Sequence, residues 1–249
     1  MTPGLRAASP SGELYRVGRR PDAWAWPDWA YAGPDGTFGN RYDDPLGEYR
    51  VLYAAGRRRG AFLETLARFR VDVALVAEME AIEGDERDGP FPTIAPGLVP
   101  DTWTATRCLG VATAPPGPFA DVAHSDSLAH LRVALAARLV HYGLDDLDGG
   151  DVRRRTPRAF TQDVSRHVFA TPADELGHPF AGLRYPSRLG DELVNWAIFE
   201  GGPPVTVVHR GQAIAAQDPA LQDALRTLDL RLHPAARLTL APPALGPGA

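Results

Sequence analysis

Arg41, Tyr53, Glu64 and Ser187 are the residues whose types and settings could do chemistry. Arg41 stands in Gly39-Asn40-Arg41-Tyr42-Asp43, before a stretch that ends Val51-Leu52-Tyr53-Ala54-Ala55. Eleven residues after Tyr53 comes Glu64, in Ala61-Phe62-Leu63-Glu64. Far downstream lie Gly182-Leu183-Arg184-Tyr185-Pro186-Ser187-Arg188 and then Asn195-Trp196-Ala197-Ile198-Phe199. A carboxylate can stabilise developing positive charge and orient an incoming hydroxyl. An arginine fork can grip phosphate or carboxylate with two bonds. Ser187 has no His or Asp placed beside it by sequence to activate it, so it is not assigned as a nucleophile. Each residue also has an ordinary role open to it: a surface ion pair for Arg41, a core aromatic for Tyr53, a solvated helix position for Glu64, a turn for Ser187.

The composition narrows the chemistry. The chain has 249 residues and a formal net charge of −5, and its 26 basic residues are all Arg. Without Lys there is no Walker-A loop, no Schiff-base lysine and no Ser–Lys dyad. An anion bound by side-chain charge must be bound by Arg. The abundance of Ala, Arg, Gly and Pro reads as high-GC coding, but the exclusion holds whatever its cause. The one cysteine, Cys108, excludes a disulfide framework and suits a cytoplasmic protein. No basic-then-apolar signal pattern opens the chain, and no apolar run reaches the ~20 residues that span a membrane. A pI near 5.8 argues against general nucleic-acid binding. The seven His show no strong metal spacing. Asp145–Asp151 fails the register of a calcium loop. Arg153–Arg155 with Arg158 reads as a charged approach to a helix. Arg57–Arg59 reads as a solvated turn, with a weaker option of an anion at the helix start.

Elements to position these residues can be read from periodicity. Glu13–Val17 and Tyr49–Ala54 read as strands, and Gly60–Arg70 as a helix with Phe62, Leu66 and Phe69 on one face. Residues 24–29 form a Trp-rich loop. Gly84–Pro118 is rich in Gly and Pro and reads as an irregular excursion, with a strand near Trp103–Ala112. Asp126–Tyr142 reads as one helix capped by Asp126 and ended by Gly143. Thr161–Phe169 reads as a helix with Val164 and Val168 inward, and Val194–Glu200 and Val205–Val208 as late strands. Mixed helices and strands without βαβ alternation indicate an α+β fold. Residues 1–12 read as a loose tail, 13–235 as a single domain and 236–249 as a second tail.

The chain resembles the RES-domain family, named for its Arg, Glu and Ser. The family pattern runs Tyr-Arg-hydrophobic, Gly-Gly-Arg-aromatic-Asn, Leu-Tyr-x-Ala, Ala-x-x-Glu, a Thr-Gln segment, and a closing Tyr-x-Ser-Arg. This chain offers in order Tyr15-Arg16-Val17, Gly39-Asn40-Arg41-Tyr42-Asp43, Leu52-Tyr53-Ala54-Ala55, Ala61-x-x-Glu64, Thr161-Gln162 and Tyr185-Pro186-Ser187-Arg188. Asn40 stands where the pattern has its second Gly, and Asp43 where it has Asn.

The resemblance implies a fold similar to that of ADP-ribosyltransferases and an activity on NAD⁺ as substrate, with no metal. NAD⁺ would be consumed by hydrolysis or phosphorolysis, or its ADP-ribose transferred to a protein. It also implies a toxin paired with an Xre-like antitoxin, and a homodimer is open. Arg16 and Arg41 become the candidates for the pyrophosphate and Tyr53 for the nicotinamide ring. Glu64 becomes the carboxylate that answers the oxocarbenium-like charge, and Ser187 a hydrogen-bonding partner of the nicotinamide amide or a phosphate. A binding module that has lost catalysis is the non-enzymatic alternative. An acid-pair glycosidase ranks last, because only one carboxylate has a placed context.

Overall fold

The computed structural model describes residues 4–74, 77, 97–153, 157–175 and 177–233. Among them, alternating apolar residues build an eight-stranded sheet. Its strands are β1 (Ala7–Ala8), β2 (Glu13–Arg19), β3 (Val51–Ala55), β5 (Arg107–Thr113), β6 (Phe119–Asp121), β7 (Gly182–Pro186), β8 (Val194–Phe199) and β9 (Thr206–Ala213). They lie in the order β1-β6-β7-β8-β3-β2-β5-β9. All neighbours run antiparallel except β6 and β7. The short strands β4 (Leu98–Val99) and β10 (Arg231–Leu232) pair separately and in parallel. The helices are α1 (Arg58–Leu66), α2 (Asp101–Thr106), α3 (Ser125–Ala134), α4 (Ala136–His141), α5 (Arg158–Ala170) and α6 (Pro219–Thr227). The fold is α+β.

Period-two alternation sends side chains to opposite faces of the sheet. Val51, Leu183, Ala197 and Phe199 pack with Leu131, Leu139, Phe160 and Val164 of α3–α5. On the same face, since Val51 and Ala55 stand at even spacing along β3, a second cluster packs Val17, Ala55, Leu109 and Leu193 with Phe62, Leu63 and Leu66 of α1 and Leu221 and Leu225 of α6. A third cluster joins Leu52, Ala54, Trp196 and Ile198 to Leu14 and Trp24. Gly182 lets β7 and β8 approach. Its φ is +157°, and a Cβ there would lie 1.9 Å from the Ala197 carbonyl oxygen.

Several boundaries differ from those read off the sequence. Residues 1–12 are not wholly loose, because Ala7–Ala8 satisfy the backbone groups of β6 and the Arg6 N–H donates to Ser127 Oγ at 2.8 Å. Of the excursion at Gly84–Pro118, residues 84–96 lie outside the described residues, as do 234–249. Its remainder is ordered as β4, α2 and β5, held by burial of Val99, Trp103 and Leu109. Trp103 is helical rather than extended, and the strand starts only at Arg107. The single helix expected at Asp126–Tyr142 breaks at Leu135, with α4 beginning at Ala136. Its cap is His124, whose ring nitrogen Nδ1 accepts the Asp126 N–H at 3.1 Å. Leu131, Leu135 and Leu139 stay buried across the break, so packing tolerates it. Gly143 ends α4 in the left-handed region at φ +67°.

The Trp-rich loop is fastened by two devices. Trp24 is buried against Gly110, where a Cβ would sit 2.4 Å from the indole nitrogen. The Arg50 guanidinium lies 5.8 Å from the Trp26 ring centre and 5.6 Å from that of Trp29. Arg50 also pairs with Glu200 and donates to the Pro27 carbonyl. The hydrogen bond from Arg50 holds the Glu200 carboxyl below its ordinary 4.5. A carboxyl lowered on folding adds stability above its unfolded pKa and loses it as pH falls through the folded value. The melting-temperature gap between wild type and Glu200→Gln should therefore be full at neutral pH and close progressively below pH 4.5.

Candidate active site

The sheet opens between β2 and β3. These strands share one register pair, Tyr15 with Ala55, whereas β2 makes seven with β5 and β3 makes five with β8. Beyond that pair the Arg16 side chain enters the gap. Its guanidinium donates from Nη1 to the Tyr53 carbonyl and from Nε to the Ala23 carbonyl, both at 2.7 Å. The partly buried cation has no carboxylate partner among the described residues, and burial lowers its pKa to about 10. Such a buried charge favours an anion nearby.

A cavity of about 340 Å³ lies at the opening. Arg16, Arg41, Tyr53 and Glu64 all line it, with Tyr185 and Asn195. The expected residues thus meet in one place, although Arg16 and Asn195 stand 179 positions apart in the chain. Glu64 projects from α1, whose Phe62, Leu63 and Leu66 anchor it in the core. Its Oε1 accepts the Ser187 hydroxyl at 2.6 Å and the Asn195 amide at 2.7 Å. Its Oε2 accepts from no described residue.

Ser187 departs from the role the resemblance assigns. It is 1% exposed, donates to Glu64 and accepts the Leu189 N–H at 2.9 Å. Its polar atoms are engaged within the protein, so here it orients the carboxylate. Asn195 does the same work, and the sequence carried no signal for it beyond its place in the last motif.

Tyr53 lines the cavity, and its hydroxyl is engaged within the protein. That hydroxyl donates to Asp43 Oδ1 at 2.7 Å and accepts the Tyr42 N–H at 2.9 Å. Burial, reinforced by Asp43, pushes the phenol well above its ordinary value. Asp43 is itself buried, which raises its carboxyl, and accepts the Asn40 N–H and side-chain amide, each at 2.7 Å. The two departures from the family pattern, Asn40 and Asp43, therefore bond to each other. Gln162 reinforces the loop by donating to the Asn40 carbonyl at 3.1 Å.

Arg41 rides on this loop. It donates to the Arg153 carbonyl at 2.9 Å and lies 5.7 Å from the Tyr42 ring centre and 5.4 Å from that of Tyr185. Arg158, expected only to approach a helix, lines the cavity and donates to the Gly39 carbonyl. Arg188 lines it too.

Other candidates lie elsewhere. Arg58 pairs with Asp218, and Arg59 with Glu192 and Asp223, so the basic turn is tied into the protein. Asp148 closes its own turn by accepting the Gly150 and Asp151 N–H groups. His130 and His167 approach to 2.9 Å between ring nitrogens. Among the described residues no group of three His, Cys, Asp or Glu is arranged to hold a metal, and no helix is long and apolar enough to cross a membrane.

A cavity lined by four arginines, three tyrosines and one carboxylate with a free oxygen can bind a polyanion with a flat group and stabilise positive charge beside it. No curated protein and no solved structure matches the chain. A family model described as RES domain matches residues 13–218, from the start of β2 to the cap of α6. Every motif carrying the cavity falls inside that span, and the chain belongs to the RES domain family.

Proposed function

We infer that the chain cleaves the nicotinamide–ribose bond of NAD⁺. The observation that carries this is Glu64, held by Ser187 and Asn195 through Oε1, with Oε2 left for a ligand in an arginine-lined cavity. Arg16 and Arg41, with Arg158 nearby, receive the pyrophosphate, and the Tyr53 ring receives the nicotinamide. As the C–N bond lengthens, positive charge grows on the ribose and Glu64 stabilises it. The nicotinamide leaves as a neutral ring, taking the bond's electron pair. In the cell this activity suits a toxin that depletes NAD⁺ under the control of an antitoxin.

Purified protein incubated with NAD⁺ should release nicotinamide, measured by liquid chromatography. A protein that neither binds NAD⁺ nor releases nicotinamide sinks the reading. Arg41→Lys should raise KM for NAD⁺ roughly tenfold, or about 1.4 kcal/mol. A point charge replaces neither the fork nor its stacking on Tyr42 and Tyr185.

A further inference from the structure

Tyr185 lies near the end of β7, opposite Asn195 of β8 in the register. Residues directly opposed on neighbouring strands share a face of the sheet, so Tyr185 lies beside the residue whose amide holds Glu64. Ser187, two positions on, donates to the same carboxylate. The Ser187 hydroxyl is engaged twice. The Tyr185 hydroxyl has no hydrogen-bond partner among the described residues, although the residue is only 7% exposed and lines the cavity.

The other buried tyrosines provide the contrast. Tyr42 donates to the Val152 carbonyl at 2.8 Å, Tyr49 pairs with Ser165 at 3.0 Å, and Tyr53 donates to Asp43 at 2.7 Å. A buried tyrosine ordinarily finds such a partner for its hydroxyl. The Tyr185 ring is fixed in place, with the Tyr42 ring centre 4.7 Å and the Arg41 guanidinium 5.4 Å from its own. Burial first, then the charge of Glu64, push its phenol well above the ordinary value against the pull of Arg41. The phenol therefore keeps its proton, and the side chain adjoins both Arg41 and Glu64.

Two polar atoms are left over in this part of the cavity, the Tyr185 O–H as a donor and Glu64 Oε2 as an acceptor. A group that accepts from one and donates to the other is a hydroxyl. In NAD⁺ the ribose joins the pyrophosphate to the nicotinamide. With the pyrophosphate on Arg41 and the reacting ribose carbon at Glu64, the ribose falls on Tyr185. The hydroxyl nearest the reacting carbon is the one on the neighbouring carbon, C2.

We propose that Tyr185 is a catalytic and sugar-specificity residue, whose hydroxyl donates to the 2-hydroxyl of the nicotinamide ribose while that hydroxyl donates to Glu64 Oε2. The proposal rests on the cleavage of NAD⁺ inferred above. Hydrogen bonds to this hydroxyl strengthen as positive charge develops on the ring. They also select against a sugar that lacks it, because both protein groups are then left unpaired.

The test compares the full chain with Tyr185→Phe on two substrates, NAD⁺ and an analogue whose nicotinamide ribose lacks the 2-hydroxyl. With NAD⁺ the variant should lose about tenfold or more in kcat/KM for nicotinamide release. With the analogue, wild type and variant should run alike, since the phenol has nothing left to meet. The melting temperature should not fall, because the phenol gives up no described partner. The preference between substrates is read within each preparation, so a partly unfolded variant does not disturb it. Calorimetric binding of the two dinucleotides gives the same comparison where release from the analogue is too slow to measure. Equal rates of wild type and variant with NAD⁺ overturn the proposal. An equal loss on both substrates overturns it too, by placing the phenol on the attacking group instead of the sugar. Both outcomes leave NAD⁺ cleavage standing. No nicotinamide release from NAD⁺ by wild type overturns cleavage and proposal together.

Discussion

Glu64→Gln should slow nicotinamide release by about 10²–10³-fold, the scale expected when one preorganised electrostatic group is lost, while the melting temperature barely moves. Glutamine can keep its carbonyl oxygen in the place of Oε1, accepting from Ser187 and Asn195. Its amide then replaces Oε2, so a neutral donor faces the ribose where an anionic acceptor stood. The apolar anchors of α1, Phe62, Leu63 and Leu66, are untouched. The loss should therefore fall on kcat more than on KM, because the charge acts on the transition state more than on bound substrate. Equal turnover by wild type and variant would refute the role of Glu64. Ser187→Ala should give a smaller loss of the same kind, since it removes a positioning bond and leaves the charge.

Tyr53→Phe should lower stability by about 1–3 kcal/mol, the cost of stranding buried polar groups. The ring remains to face the ligand, but Asp43 Oδ1 loses its donor and the Tyr42 N–H loses its acceptor. At about 2–4 °C per kcal/mol for a domain of this size, thermal melts resolve the change. The pH dependence fixes its origin. Asp43 has its carboxyl raised by burial, so the folded state holds that proton tightly, and stability from this group falls as pH rises through the folded value. The bond from Tyr53 opposes the shift, and removing it raises the carboxyl further. The deficit of the variant should thus be greatest at neutral pH and shrink as pH falls through the carboxylate range. A deficit independent of pH would place its cause elsewhere. Because Arg41 rides on the same loop, KM for NAD⁺ should rise with the loss of stability.

Much of the site was legible before any coordinates. Arg16, Arg41, Tyr53 and Glu64 carried a signal because they sit in short motifs in a fixed order, and all four line one cavity. Arg188 closes the last motif but had no role assigned, and Arg158 carried no signal, since an arginine beside a helix looks the same whether it faces solvent or a cavity. The strand and helix periods of β2, β3, α1 and α5 were readable because each buries one face. The breaks at Leu135 and Trp103 were not, because the local pattern continues through them and distant packing sets the backbone.

The chain alone thus established the α+β class, the absence of lysine chemistry and the ordered motifs, all consequences of residue type and of neighbours within a turn or a strand. Folding in three dimensions was needed for the partnerships. Ser187 reaches Glu64 across 123 residues of chain. Arg16 fills the parting between β2 and β3, and Asn40 completes Asp43. The physical reason lies in what each level specifies. Periodicity names the face a side chain takes, whereas strand register and buried hydrogen bonds between distant segments name the atom it meets.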